Sequence, residues 1–254
     1  MTVLGNCLTD AWLSNCGGKA KGLYLLDSAG VNIPETLIIP SGLNIALYKK
    51  QIEDFCDKIT HNYCNAKFAV RSSALTEDGA ECSWAGMYDT LLNITSEKLY
   101  DCIQRMYSYT GTSRQQMYKE FSKSDDSSMN MGLVVQRMIE PDFAGVCFSV
   151  NPISGKDNEI VIELVSGLGE KLVSGEVTPQ LIILDENGKC KYFECGDYPN
   201  DIIVNNEILK NFFSIIAYLK QTIMQDADIE FAIQNNIIYF LQIRHITKTY
   251  SVSV

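Results

Sequence analysis

Asp228-Ile229-Glu230-Phe231-Ala232-Ile233-Gln234-Asn235-Asn236-Ile237-Ile238-Tyr239-Phe240-Leu241-Gln242-Ile243-Arg244 is the stretch whose reading decides the fold of this 254-residue chain. Read with a period of two, Ile229, Phe231 and Ile233 share one side of a first strand, and Tyr239, Leu241 and Ile243 one side of a second. The opposite side collects Asp228, Glu230, Ala232 and Gln234 with Ile238, Phe240, Gln242 and Arg244. The strands bury a common apolar face only if Gln234 pairs with Ile238 across a three-residue loop, which sets Glu230 directly opposite Gln242. A two-residue Asn235-Asn236 turn has good turn chemistry but would put Glu230 and Gln242 on opposite faces. The longer loop is expected, because six apolar side chains outweigh one turn preference. A carboxylate and an amide oxygen on adjacent strands, with an arginine beside them, suit a hard cation and a phosphate. A solvated face with one ordinary ion pair fits the same residues, so the rest of the chain decides.

At 46% hydrophobic, the chain can bury one large core or two small ones. Its formal charge of −10 and the absence of an arginine-rich tail argue against a nucleic-acid-binding surface. Nine scattered cysteines, never spaced C-x-x-C, and two histidines argue against a zinc site or a disulfide framework. Reduced thiols in the cytoplasm are expected. The N-terminus lacks a charged and then apolar leader, and no run of about eighteen apolar residues occurs, so no membrane span is expected.

Gly17-Gly18-Lys19 opens a helix over residues 17–29, and a short strand ends at Pro40. Such a helix start offers backbone N–H groups and an ammonium to an anion, although a plain helix start reads the same way. An amphipathic helix is expected over residues 43–59, with Leu43, Leu47, Ile52, Phe55 and Ile59 inward. His61 follows as an exposed linker residue. Val70-Arg71-Ser72-Ser73-Ala74 ends a strand with a cation and two hydroxyls, a common place for phosphate contacts; pairing of Arg71 with Glu77 or Asp78 is the plainer reading. Helices are expected at 96–109 and 113–121, then a polar linker at 122–130. Strands follow at 132–138, 144–150 and 159–165, the last carrying Glu163, a carboxylate that needs a partner inside an apolar strand. The loop Gly167-Leu168-Gly169-Glu170 allows close backbone approach to a ligand. A hairpin around Asn187-Gly188 and a helix over 206–225 lead into the closing strands.

Taken in this order, the motifs resemble the N-terminal ATP-grasp domain of the pyruvate phosphate dikinase and phosphoenolpyruvate synthase family over nearly the whole chain. The parts are Gly17-Gly18-Lys19, Val70 to Ala74, Ala85-Gly86 through Asn93, Gln136-Arg137-Met138, Gly145-Val146 with Asn151-Pro152 and Gly155, Gly167 to Glu170, and Asp228 to Phe231 with Leu241 to Arg244. Each is weak alone; their common order makes the resemblance specific. It implies an α+β ATP-grasp architecture, with an α/β lobe over residues 1–125, a mixed-strand lobe over 131–254, and ATP·Mg²⁺ between them. It implies that Lys19 and Arg71 hold ATP phosphates. Glu230 and Gln242 would bind Mg²⁺, with Asp228 contributing through water, and Arg244 would steady the transferring phosphoryl group. The segment around Gln136 and Met138 would meet the adenine, and Glu163, Gly167 and Gly169 join the nucleotide-binding candidates. His245 stands where family members usually have proline, read as a loop change in preference to a new phosphoryl acceptor. The family continues into a histidine-bearing swivelling domain that this sequence lacks, so an ATP half-enzyme is expected. It would pass a phosphoryl or pyrophosphoryl group to a histidine on a separate partner protein; the alternative is a stand-alone small-molecule kinase or ATP-grasp ligase.

Overall fold

The computed structural model describes residues 1–5, 13–74, 90–108, 131–173, 175–197, 206–223 and 226–246. The helix expected at 113–121, the linker at 122–130, Ala85-Gly86, Glu77 and Asp78 lie outside the described residues. The chain divides into two compact units, one of Met1–Tyr24 with Pro34–Met138, the other of Leu25–Ile33 with Ile139–Val254. Helices and strands mix in both, as the α+β class requires.

The first unit is built on an antiparallel sheet of β1 (Thr2–Val3), β2 (Thr36–Ile39), β5 (Met131–Arg137), β3 (Phe68–Ala74) and β4 (Thr90–Ile94), in that spatial order. The second lobe, expected from residue 131, starts instead at Ile139, because β5 is the central strand of the first sheet, bonded to β2 and β3. Every residue of β5 is buried. Phe68, Val70, Leu133 and Val135 meet a layer formed by α2 (Lys49–Asn62) and α3 (Ser96–Ser108), which bury Ile52, Phe55, Ile59, Leu99, Ile103 and Met106. Their spacing of three and four residues makes one apolar stripe per helix. Leu47, expected inward, is 79% exposed. The segment before α2 is a short 3₁₀ turn, Ile45–Tyr48, opened by the Asn44 side chain accepting from the Ala46 N–H (3.2 Å), and the change of helical period turns Leu47 outward.

The second unit carries a six-stranded antiparallel sheet in the order β11 (Ile237–His245), β10 (Ala227–Gln234), β6 (Phe143–Phe148), β7 (Ile160–Ser166), β8 (Gln180–Leu184) and β9 (Cys190–Glu194). One face packs on α4 (Asn206–Ile223), whose Phe212 lies edge-on to Phe231 at 4.7 Å between centroids and 6.1 Å from Phe240. Helix α1 (Gly18–Ser28) leads into the 25–33 segment, where the Asn32 carbonyl accepts from the Phe240 N–H (2.8 Å) on edge strand β11. No helix among the described residues is long and apolar enough to cross a membrane, and the seven described cysteines are thiols. Burial pushes the Cys16 and Cys56 thiols up to about 12.

The closing hairpin departs from its expected register. Asn235 and Asn236 both adopt positive φ, 51° and 63°, so they form the two-residue turn and Gln234 pairs with Ile237. Pairing runs Ile233 to Ile238 and Phe231 to Phe240, and then a β-bulge leaves Leu241 as an extra residue. Beyond it Glu230 pairs with Gln242, Ile229 with Ile243 and Asp228 with Arg244. The core side of β11 is therefore Ile238, Phe240 and Ile243; Tyr239 and Leu241, expected there, are half-buried. The bulge lets the asparagine turn and the Glu230–Gln242 pairing coexist.

In the loop after β6, the Asn151 amide oxygen accepts from the Ile153 and Ser154 N–H groups (3.0 Å each), and its amide nitrogen donates to Glu159 (2.7 Å). Lys191 donates to buried Glu159 at 2.5 Å, and Lys156 lies 3.4 Å away. Chiefly the Lys191 bond, against an opposing push from burial, holds the Glu159 carboxyl down at about 2. A depressed carboxylate contributes stability that is complete above the ordinary range and is lost as pH falls through the folded value. Glu159→Gln should therefore lower stability at pH 7, and the gap from wild type should close as pH falls from 4.5 toward 2. Urea unfolding of both proteins at several pH values measures this; a constant gap would show that the carboxylate charge is not what holds the loop.

Candidate functional site

In the first unit, two of the predicted phosphate-binding motifs meet. Gly17 has φ +80°, and a Cβ there would overlap the Ser73 carbonyl and lie 2.6 Å from Ser73 Oγ. Only glycine fits. Ser73 Oγ in turn accepts from the Ala20 N–H (3.2 Å), capping the first turn of α1, while the Lys21 N–H closes that turn on the Gly17 carbonyl (3.1 Å). Gly132 on β5 pairs with Ser73, and a Cβ there would press on the Cys16 and Ile39 carbonyls at 2.8 and 2.9 Å. The loop before α1 is thus laid directly across β3 and β5. Lys19 and Arg71, both half-buried, leave this junction from the helix start and from β3. Backbone N–H groups of a helix start together with two cations form an arrangement that could take an anion.

The Gln136–Met138 segment is more committed than expected. Gln136 is buried and its Nε2 donates to Thr36 Oγ1 (3.1 Å). The Met138 N–H donates to the Lys67 carbonyl (2.8 Å), and Met138 Sδ accepts from the Asn93 N–H (3.0 Å). Contacts with an adenine would have to come from other groups of this segment. Arg137, between them, is a structural residue that the sequence reading passed over. Its Nε donates to Glu35 Oε2 (2.5 Å), its guanidinium lies 3.9 Å from the Tyr63 ring centre, and Tyr63 donates to Glu35 Oε1 (2.8 Å). Burial raises the Glu35 pKa, but the bonds led by Arg137 outweigh it and hold the carboxyl low. A signal existed: an arginine ending a buried, mostly apolar strand needs a carboxylate, and Glu35 precedes the partner strand.

In the second unit, Asp228, Glu230, Gln242 and Arg244 share the sheet face turned away from α4. Arg244 Nη2 donates to Glu230 Oε1 at 3.0 Å, and its Nε lies 3.8 Å from Asp228 Oδ1. The Gln242 amide oxygen, in the orientation that satisfies both ends of the amide, accepts from Arg244 Nε at 2.6 Å and Nη2 at 3.2 Å. Glu230 pairs with Val146 on β6, and Val146 with Glu163 on β7, so Glu163 stands on the same face two strands away, about 10 Å by strand spacing. Burial pushes the Glu163 pKa up. On the opposite face Gly145 pairs with Phe231, and a Cβ there would overlap the Glu163 carbonyl and lie 2.9 Å from the Phe231 ring. Gly167 follows β7 at φ +74° with open space over its Cα, and Gly169 starts the helical turn Glu170–Val173. His245 pairs with Ala227, on the face opposite Arg244. A surface cavity of about 580 Å³ beside Ile45 and Tyr107 contains none of the predicted ligand residues.

Three oxygen-bearing side chains from two strands suit Mg²⁺, which takes few protein oxygens and leaves positions for phosphate and water. Among the described residues no three His, Cys, Asp or Glu side chains gather as a metal cluster.

Residues 43–197 match the family described as pyruvate phosphate dikinase, AMP/ATP-binding domain, and the chain belongs to that family. The matched stretch contains Arg71, Gln136, Met138, Glu163, Gly167 and Gly169, and leaves Lys19 and the closing hairpin outside it. Among curated relatives, a probable phosphoenolpyruvate synthase of Methanocaldococcus jannaschii is 34% identical over 202 residues, 70% of this chain and 17% of that protein. An uncharacterized phosphotransferase of Bacillus subtilis, YvkC, is 32% identical over 91% of this chain and 33% of its own length. The chain thus spans a third or less of these relatives. The D-alanine–D-alanine ligase of Coxiella burnetii has a similar structure at a TM-score of 0.46 and 12% identity, covering 94% of this chain and 50% of that one.

Gly17→Ala should cost about 2 kcal/mol or more from the left-handed backbone and the collision with Ser73, and should weaken ATP binding at least about tenfold. Thermal melting and calorimetric ATP titration measure both. A variant with wild-type stability and affinity would separate the glycine loop from the nucleotide.

Proposed function

We propose that this chain is the nucleotide-using part of a dikinase-type phosphotransferase, which binds Mg·ATP and passes a phosphoryl or pyrophosphoryl group to a histidine on a separate protein. The observation that carries this reading is the set of Asp228, Glu230, Gln242 and Arg244 gathered on one sheet face, within a chain of the AMP/ATP-binding family. Glu230 and Gln242 would hold Mg²⁺, with Asp228 acting through water. When bound, the metal neutralises phosphate charge and orients the chain of phosphates. Lys19, Arg71 and the start of α1 bind phosphate oxygens, and Arg244 stabilises the charge spread over the group in transfer. Phosphoryl transfer needs mainly positioning and charge neutralisation, and these residues supply both without a covalent intermediate on this chain. Neither histidine of the sequence is assigned as the acceptor. His245 faces away from Arg244, and His61 is exposed at the end of α2.

Nucleotide products separated by chromatography, after incubation with ATP, Mg²⁺ and candidate histidine-bearing proteins, test the reading. Transfer of the pyrophosphoryl group leaves AMP and transfer of the phosphoryl group leaves ADP, in either case with label from the γ-phosphate on the partner's histidine; ADP formed with a metabolite and no partner would favour a small-molecule kinase or ligase. Arg244→Ala should keep ATP affinity within several-fold while turnover falls by about a thousandfold. Undiminished turnover in that variant would remove Arg244 from the mechanism.

A further inference from the structure

We propose that Arg244 is a resident counter-cation that competes with the divalent metal for one set of oxygens, so that metal enters tightly only together with a polyphosphate that can draw the guanidinium away. This rests on the assignment of Glu230, Gln242 and Asp228 as metal ligands. Arg244 meets all three of those side chains: Glu230 Oε1 at 3.0 Å, the Gln242 amide oxygen at 2.6 and 3.2 Å, and Asp228 Oδ1 at 3.8 Å. Gln242 is only 2% exposed, and the guanidinium that bonds to its oxygen is half-exposed above it. Asp228 and Glu230 are 32% and 28% exposed, so a metal from solvent reaches carboxylates that already hold the guanidinium.

The two cations exclude each other for simple reasons. A guanidinium has only donors and stays charged, so it cannot make room by losing a proton. A metal about 2.1 Å from the same oxygens would sit within a few ångströms of the guanidinium, and repulsion between a double and a single positive charge at that range is unfavourable even in a wet site. The local balance points the same way. Of the three side chains that Arg244 meets, two are carboxylates, and their two negative charges match a divalent ion. Withdrawal costs the guanidinium these three acceptors, two of them charged. A bare metal ion brings none, whereas a metal–triphosphate brings both a replacement cation for the oxygens and a phosphate for the arginine. Loading of the metal and release of Arg244 become one step, and the arginine is freed only when a phosphate is there to receive it.

Mn²⁺ titration of the whole chain without nucleotide, followed by the electron paramagnetic resonance of the free ion, tests this. Wild type should bind Mn²⁺ weakly, and Arg244→Ala and Arg244→Gln should both bind it about tenfold more tightly. Combining either with Glu230→Gln should abolish the gain. If neither Arg244 variant binds Mn²⁺ more tightly while Glu230→Gln still weakens Mn²⁺·ATP binding, the competition is refuted and the metal site stands. If Glu230→Gln changes neither measurement, the metal assignment falls and this inference with it. The Gln variant guards against a packing artefact at position 244, because it keeps a hydrogen-bond donor while removing the charge.

Discussion

One extra residue in an edge strand governs the polar face of the second unit. The Asn235-Asn236 turn fixes the pairing of Gln234 with Ile237, and unbroken pairing from there would set Leu241 against Glu230 and send Gln242 to the side of Ile229 and α4. An amide would then enter an apolar layer next to Phe212, where an unpaired polar group costs roughly 1–3 kcal/mol. The bulge at Leu241 shifts the parity of the remaining strand, Gln242 onward, by one residue. Phe240 stays with Phe212 and Phe231, and Gln242 and Arg244 cross to Glu230 and Asp228. Core packing and ligand placement are thereby satisfied in one short strand.

Burial separates the roles of the arginines. Arg137 is buried, stacked on Tyr63 and bonded to Glu35, so its charge is spent on joining the segment before β2 to the end of β5. Arg244 is 48% exposed and meets groups that a metal would itself use. A guanidinium with one buried partner set has nowhere else to go; one lying over a half-open oxygen cluster can be exchanged. In a chain of formal charge −10, Lys19 and Arg71 of the first unit and Arg244 of the second all stand at motif positions.

Much of this was legible in the sequence because side-chain period and residue chemistry act locally. The alternation through Ile229, Phe231 and Ile233 gave the core side of β10, and the sharing of a face by Glu230 and Gln242 followed from requiring oxygen and apolar sets to segregate. The route was wrong, however: the turn is the two-residue one, and the expected inward positions of Tyr239 and Leu241 assumed unbroken alternation. A bulge leaves no mark in a period-two pattern when both candidate faces are apolar at 238–241. The unit boundary was misplaced for a related reason. Residues 131–137 read as the first of a run of strands, and only long-range pairing with β2 and β3 assigns them to the other sheet. The contact of Gly17 with Ser73 links positions far apart in the chain, so the sequence could flag each motif without showing that they touch.

Joint ligation by Glu230 and Gln242 is tested most directly by a double-mutant cycle on ATP affinity, using Glu230→Gln, Gln242→Met and the double variant, with Mg²⁺ and again with EDTA. If the two side chains hold one metal, the double variant loses little more than the worse single variant, and this coupling disappears in EDTA. Losses that simply add in the presence of Mg²⁺, or a coupling that survives the chelator unchanged, would contradict a shared metal.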